Sequence, residues 1–116
     1  MQPKFWIGVD LDGTLAFYDR FRGLNHIGKP IPAMVKRVQR MLADGKAVKI
    51  FTARVTDDGE HDVRAVQQLI GDWTERHIGQ RLEVTNVKDT WCTEIFDDKA
   101  RQVQLNTGRV LVLKKE

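Results

Sequence analysis

Apolar and polar residues follow one another along this chain in short segments that predict both strands and helices. An apolar run at residues 5–9 stops at Asp10, as is typical of a strand buried on both faces of a parallel sheet. Further strands are predicted at residues 47–52, 82–87, 93–96 and 110–113.

Helical spacing of apolar residues predicts two helices between these strands. The first begins near Pro32, which suits a first helical turn, and Asp44 and Gly45 close it. The second runs from about Glu60 to His77 and ends at Gly79. Their apolar stripes consist of Ile31, Val35, Val38 and Leu42 in the first helix, and of Val63, Val66, Ile70 and Trp73 in the second.

The alternation of strands and helices predicts an α/β fold: a three-layer, Rossmann-like domain with a mainly parallel sheet. The length of 116 residues fits a single domain, residues 1–116. Residues 15–30 are too polar and too rich in glycine for a core helix, so we expect a flap there, over the sheet edge.

Composition narrows the class of protein. The chain is 41% hydrophobic and 30% charged, as in ordinary globular proteins, and no apolar run approaches the roughly 20 residues that span a membrane. Cys92 is the single cysteine, which excludes an intramolecular disulfide, and the first residues lack the pattern of an export signal. We therefore expect a cytoplasmic protein. The net charge of +3 is compatible with anionic substrates without requiring them.

Polar residues follow four of the predicted strands. Because ligands bind at the carboxyl ends of parallel strands, we expect these residues to meet at one sheet edge. Clustered carboxylates repel one another unless a cation joins them, and oxygen ligands suit Mg²⁺. A threonine and a lysine nearby could bind phosphoryl oxygens. The residues are Asp10, Asp12, Gly13 and Thr14; Thr52, Ala53 and Arg54; Lys88 and Asp89; and Asp97 and Asp98.

The order of these residues resembles the four motifs of the haloacid dehalogenase superfamily. Residues 10–15, Asp-Leu-Asp-Gly-Thr-Leu, resemble the first motif, and residues 50–52, Ile-Phe-Thr, the second. Lys88 resembles the lone basic residue of the third motif, and residues 94–98, Glu-Ile-Phe-Asp-Asp, the acidic fourth. The resemblance extends from residue 5 to about residue 98.

The resemblance implies a two-step phosphoryl transfer. Asp10 would form an aspartyl-phosphate, and Asp12 would act as general acid and then general base. Mg²⁺ would lie between the Asp10 carboxylate, the main-chain carbonyl of Asp12, and the pair Asp97 and Asp98.

The remaining residues of the motifs would bind the transferring phosphoryl group. Thr52 would donate a hydrogen bond to it, and Lys88 would neutralise its charge, a role that Arg54 could take instead. The phosphate-binding loops would consist of Gly13, Thr14, Thr52, Ala53, Arg54 and Lys88. An acid at position 12 provides the proton that an alkoxide leaving group needs, which favours hydrolysis of phosphomonoesters.

Many members of this superfamily enclose their substrate under a large cap domain, but neither gap between the motifs is long enough for one here. The open site could admit a small phosphorylated molecule or a bulky substrate such as a nucleic-acid end, a phosphoprotein or a sugar–nucleotide. A second subunit of a homo-oligomer could also cover it. Candidates for contacts with the leaving group lie in the flap: Tyr18, Arg20, Arg22, His26 and Lys29.

Three other functions fit parts of the pattern. A phosphotransferase would use the same site and pass the phosphoryl group to an acceptor other than water. A signalling receiver module also collects acids, a threonine and a lysine at strand ends, but its phosphate-accepting aspartate ends a middle strand, and residues 47–52 end without one. The third is a catalytically inactive Mg²⁺-binding interaction protein that has kept the fold.

Overall fold

The computed structural model describes residues 4–111, and its centre is a four-stranded parallel sheet. The strands are β1 (Trp6–Val9), β2 (Ala47–Phe51), β3 (Val84–Thr85) and β4 (Cys92–Phe96), in the order β3-β2-β1-β4. The predicted α/β domain with a mainly parallel sheet is thereby confirmed. The predicted strand at residues 82–87 shortens to two residues, and the strand at 93–96 begins one residue earlier.

Burial explains the strand positions. All four residues of β1 are buried, as the continuous apolar run predicts for the central strand of a parallel sheet. In β2 only Val48 and Ile50 are buried, and they lie beside Ile7 and Val9 on the same face. This face therefore carries the core.

Two helices cover that face. Helix α1 (Pro32–Ala43) begins with its proline and ends at Asp44, as predicted. Helix α2 (Val63–Ile78) begins later than predicted because the Asp62 side chain accepts a hydrogen bond from the Ala65 amide and caps it. Gly79, with φ of 100°, ends α2. Within residues 4–111, neither helix is long and apolar enough to cross a membrane.

The helices pack against each other as well as against the sheet, so both belong to one layer. The connections from β1 to β2 and from β2 to β3 step in the same direction along the sheet, and the general right-handed rule for such connections then places α1 and α2 on one side. The buried cluster combines Ile7, Val9, Val48, Ile50 and Val84 with Val35, Val38, Val66, Ile70 and Trp73.

The second face of the sheet carries no helix within the described range, so the predicted third layer is not found there. Residues 86–91 cross this face from β3 to β4 without regular structure. The indole Nε1 of Trp6 donates a hydrogen bond to Asp89 at 2.8 Å, and the Phe51 ring lies 6.3 Å from the Trp6 ring. This irregular crossover takes the place of a helical layer.

The chain beyond β4 forms a separate two-stranded antiparallel sheet. Its strands are β5 (Gln102–Val103) and β6 (Val110–Leu111). The predicted last strand, residues 110–113, therefore pairs outside the parallel sheet, and its last two residues lie outside the described range. The turn between the strands contains Asn106 at φ of 63° and Gly108 at φ of 76°.

Candidate active site

The candidate site lies where the strand order reverses. The chain passes from β1 through β2 to β3 on one side, and β4 then joins β1 on the other. Asp10 follows β1, and Asp97 and Asp98 follow β4. The Asp10 amide donates to the Phe96 carbonyl at 2.9 Å, which holds the two strand ends together. In open α/β sheets the crevice at such a reversal is the usual ligand site.

Three carboxylates meet at this crevice. One oxygen from each of Asp10, Asp97 and Asp98 lies within 4.8 Å of the others. Burial, the charge of Asp97 and a hydrogen bond with Asp98 together raise the pKa of Asp10 from 3.8 to about 7. The cluster consists only of hard oxygen donors that repel one another, so these residues can hold a divalent cation.

Thr14 positions one member of the cluster. Its Oγ1 donates to Oδ1 of Asp98 at 3.1 Å and accepts from the Asp98 amide at 3.0 Å. Gly13 makes this contact possible: a Cβ at that position would lie 2.8 Å from Oδ2 of Asp98, and its φ of 87° disfavours other residues. Both residues are predicted to bind phosphate; in the structure the Thr14 hydroxyl contacts Asp98, and the Gly13 amide donates to the Ala16 carbonyl at 2.8 Å.

The carboxylate of Asp12 lies outside the cluster and is held by Arg54. Nε of Arg54 donates to Oδ2 of Asp12 at 2.7 Å, and Nη2 donates to Oδ1 at 2.8 Å. The Arg54 side chain is 7% exposed, so this bidentate pair is largely shielded from water. Nη1 of Arg54 also donates to the Leu24 carbonyl at 3.2 Å. Arg54 therefore joins the end of β2 to the loop after β1 and to the flap.

Thr52 ends β2 at the same edge of the sheet. It is buried, and its amide donates to the Thr85 carbonyl at 3.0 Å. Its hydroxyl accepts from the Arg54 amide at 3.2 Å and thereby caps a single 3₁₀ turn, Ala53–Val55. As an acceptor in that bond, the hydroxyl keeps its own proton for a ligand. Ala53 is exposed at the start of the turn.

Lys88 follows the last residue of β3 by three positions. It was predicted at the end of a strand, but β3 ends at Thr85 and Lys88 belongs to the crossover on the second sheet face. The next residue, Asp89, bonds the side chain of Trp6 at the start of β1, at the opposite end of that strand from Asp10. Lys88 forms no ion pair with any carboxylate of residues 4–111; it lines a shallow groove beside β4 that Asp97 also lines.

The flap forms a loop without a helix, as predicted, although Leu15 and Ala16 at its start are buried in the core. Its base is closed by antiparallel pairing: the Phe17 amide donates to the Lys29 carbonyl at 2.8 Å. Gly28 is required there, since a Cβ would overlap the Phe17 carbonyl oxygen. The two sides of the flap therefore approach more closely than any other residue at position 28 would permit.

A cavity of about 490 Å³ lies between the flap and Asp12. All the flap residues predicted to contact a leaving group line it, and the structure adds Phe17, Asp19, Ile27 and Gly28 to them. Arg54 completes the wall beside Asp12. The sequence signal that could have found Phe17 is its place in an aromatic pair with Tyr18 near the start of the flap.

Two contacts could not be found from the sequence. The bidentate bond between Asp12 and Arg54 joins residues 42 positions apart, and the bond between Thr14 and Asp98 joins residues 84 positions apart. No local pattern specifies either contact.

No protein-family model, curated protein or solved structure matches this chain.

Proposed function

We propose that this protein is a Mg²⁺-dependent phosphomonoester hydrolase of the haloacid dehalogenase type. The observation that carries the proposal is the separation of two carboxylates that follow the same strand. Asp10 lies in a cluster with Asp97 and Asp98, and Asp12 lies against the guanidinium of Arg54. Different surroundings for two neighbouring acids are what a reaction needs when one acts as nucleophile and the other as acid and base.

Asp10, Asp97 and Asp98 are the residues that would hold Mg²⁺. Within residues 4–111 no group donates a hydrogen bond to the main-chain carbonyl of Asp12, the fourth ligand implied by the resemblance. When bound, the cation provides charge neutralisation that keeps Asp10 ionised and draws in an anionic phosphate.

In the first step, a carboxylate oxygen of Asp10 attacks phosphorus. The bond between phosphorus and the leaving oxygen breaks, and Asp12 donates its proton to that oxygen, so the alcohol departs and an aspartyl-phosphate remains. In the second step, Asp12 accepts a proton from a water molecule that attacks the same phosphorus. The bond between phosphorus and the Asp10 oxygen breaks, so inorganic phosphate leaves and the Asp10 carboxylate is regenerated.

The Arg54 contact sets a condition on the first step. Both carboxylate oxygens of Asp12 accept hydrogen bonds from Arg54, so acid catalysis requires that Arg54 release at least one of them. The phosphoryl dianion of a substrate competes for the same guanidinium. Substrate binding would then release Asp12 for acid catalysis, and Arg54 would serve the charge-neutralising role that the resemblance assigns to Lys88.

The test is phosphate release from a panel of nucleotides, sugar phosphates, phosphorylated nucleic-acid ends and phosphopeptides, with Mg²⁺ or with EDTA. We expect turnover that requires Mg²⁺ and is abolished in Asp10→Asn. Asp12→Asn should lower kcat by about 10²–10⁴-fold. Asp44→Asn is the matched control, because Asp44 is an exposed carboxylate at the end of α1, and its activity should equal that of the parent protein.

The panel is run without an added acceptor, so that free phosphate reports transfer to water. Turnover that survives both EDTA and Asp10→Asn would reject the mechanism. Absence of turnover in a folded protein that binds Mg²⁺ would reject the hydrolase and favour the inactive scaffold or a transferase that needs its acceptor.

A further inference from the structure

The cavity between the flap and Asp12 is placed to receive a leaving group. In the proposed reaction Asp12 protonates the leaving oxygen, and Asp12 is itself part of the cavity wall. The volume of about 490 Å³ lies within the range of about 300–1,000 Å³ typical of small-molecule sites. The chemistry of the remaining wall therefore indicates what the leaving group is.

The wall is positively charged. It contains four cationic side chains, Arg20, Arg22, Lys29 and Arg54, and two carboxylates. The carboxylates are neutralised locally, Asp19 by Arg22 at 2.7 Å and Asp12 by Arg54. Arg20 and Lys29 form no ion pair within residues 4–111, so the cavity carries surplus charge for an anion beyond the phosphoryl group that reacts.

The wall is also aromatic. Phe17 is 61% exposed and Tyr18 is 42% exposed, although both line the cavity. Exposed rings beside unpaired cations form the combination on which nucleic-acid bases stack while their phosphates are neutralised. A sugar phosphate would use the cations but has no aromatic base to stack on either ring.

We propose that this cavity binds the nucleotide part of the substrate, with the base stacked on Phe17 or Tyr18 and a further anionic group neutralised by Arg20 and Lys29. The inference rests on the proposed function and names its substrate class. A free nucleotide and the phosphorylated end of an oligonucleotide share this chemistry.

The test compares kcat/KM for nucleoside monophosphates with kcat/KM for ribose 5-phosphate, which carries the same sugar and phosphate without the base. We expect a preference for the nucleotide of about tenfold or more, the size of one stacked base. Phe17→Ala combined with Tyr18→Ala should remove the preference, so that kcat/KM for the nucleotide falls to about that for ribose 5-phosphate.

Phe21→Ala is the matched aromatic control. Phe21 lies in the same flap and is 62% exposed, but it does not line the cavity, so the preference should remain. Equal kcat/KM for the nucleotide and ribose 5-phosphate in the parent protein would overturn the proposal. It would also be overturned if Phe21→Ala reduced the preference as much as the double variant of Phe17 and Tyr18 does.

Arg20→Ala combined with Lys29→Ala distinguishes the two sources of the nucleotide. If this double variant lowers kcat/KM only for a 5′-phosphorylated trinucleotide, the two cations bind the next phosphate of an oligonucleotide. If it lowers kcat/KM only for free nucleoside bisphosphates, they bind the second phosphate of a free nucleotide. Lys36→Ala, an exposed lysine on α1, is the control and should change neither rate.

Failure of the hydrolase proposal gives a different result. If no phosphate is released from any compound, adenosine 5′-monophosphate binding to the parent protein is measured by NMR titration. Binding that is lost in the double variant of Phe17→Ala and Tyr18→Ala would support the nucleotide site in the cavity, although the hydrolase proposal would be rejected. Absence of binding would overturn the cavity assignment as well.

Discussion

Arg54 holds the carboxylate of Asp12 through two hydrogen bonds, from Nε to Oδ2 at 2.7 Å and from Nη2 to Oδ1 at 2.8 Å. The guanidinium is nearly buried, while the Asp12 side chain is 22% exposed. A third bond to the Leu24 carbonyl ties the same guanidinium to the flap. The single residue Arg54 thus joins three parts of the chain: the segment after β2, the loop that follows β1, and the flap.

Removal of one partner of this pair should destabilise the fold. Arg54→Ala leaves the Asp12 carboxylate without its counter-ion. We expect the free energy of unfolding to fall by about 3 kcal/mol. This is the lower end of the range for a broken buried ion pair, because Asp12 is partly exposed. Urea denaturation measures it. The double variant with Asp12→Ala should be less destabilised than the sum of the single variants. Additive losses would show that the pair contributes no coupling.

The bond between Thr14 and Asp98 should support cation binding. Thr14→Val keeps the shape of the side chain but removes the hydroxyl that orients Asp98, and residues that orient a metal ligand typically contribute about 10–100-fold in affinity. We expect Mg²⁺ affinity, measured by calorimetric titration, to fall by that factor. Thr14→Ser retains the hydroxyl and should bind Mg²⁺ as the parent protein does. Equal affinities in the parent protein and Thr14→Val would contradict this role.

The raised pKa of Asp10 predicts a pH dependence of stability in the metal-free protein. The pKa is about 7 in the folded state against an ordinary value of 3.8, so folding favours the neutral carboxyl. This contribution is fully present below about pH 4 and is lost as the pH rises through 7. In EDTA, the Tm of Asp10→Asn relative to the parent protein should therefore increase between pH 4 and pH 7.5.

Mg²⁺ provides the control for this pH effect. At pH 7.5 the cation should raise the Tm of the parent protein more than that of Asp10→Asn, because only the parent protein supplies the third charged carboxylate. A Tm difference that stays flat with pH in EDTA would show that Asp10 titrates normally in the folded state.

Thr74 should contribute to stability through a buried hydroxyl far from the candidate site. Its side chain is fully buried, donates to the Gly71 carbonyl at 2.8 Å and accepts from the Leu82 amide at 3.0 Å. Thr74→Val leaves that amide buried without a partner, so we expect a loss of about 1–3 kcal/mol, measured by urea denaturation. Thr90→Val, at an exposed position, should change stability by less than about 0.5 kcal/mol. If Thr74→Val lowers the free energy of unfolding by less than about 0.5 kcal/mol, the Leu82 amide has found another hydrogen-bond partner.

The sequence by itself determined the elements that depend on local chemistry. The apolar run before Asp10 became the buried central strand, Pro32 began α1, and Gly79 ended α2. Because parallel strands end at a common edge, the sequence also predicted that Asp10 would meet Asp97 and Asp98, and the structure brings them together. The first three outcomes follow from periodicity and caps, which a single segment encodes. The meeting of the carboxylates follows from the common direction of the strands in the predicted parallel sheet.

The tertiary structure decided what depends on contacts between distant segments. It placed Lys88 in a crossover whose next residue, Asp89, binds Trp6, and it left the second sheet face without a helical layer within residues 4–111. It also paired Arg54 with Asp12 and turned the flap into the wall of a cavity. The physical reason is that a hydrogen bond or ion pair selects its partner by distance and direction in space. The spacing of residues along the chain determines neither this distance nor this direction.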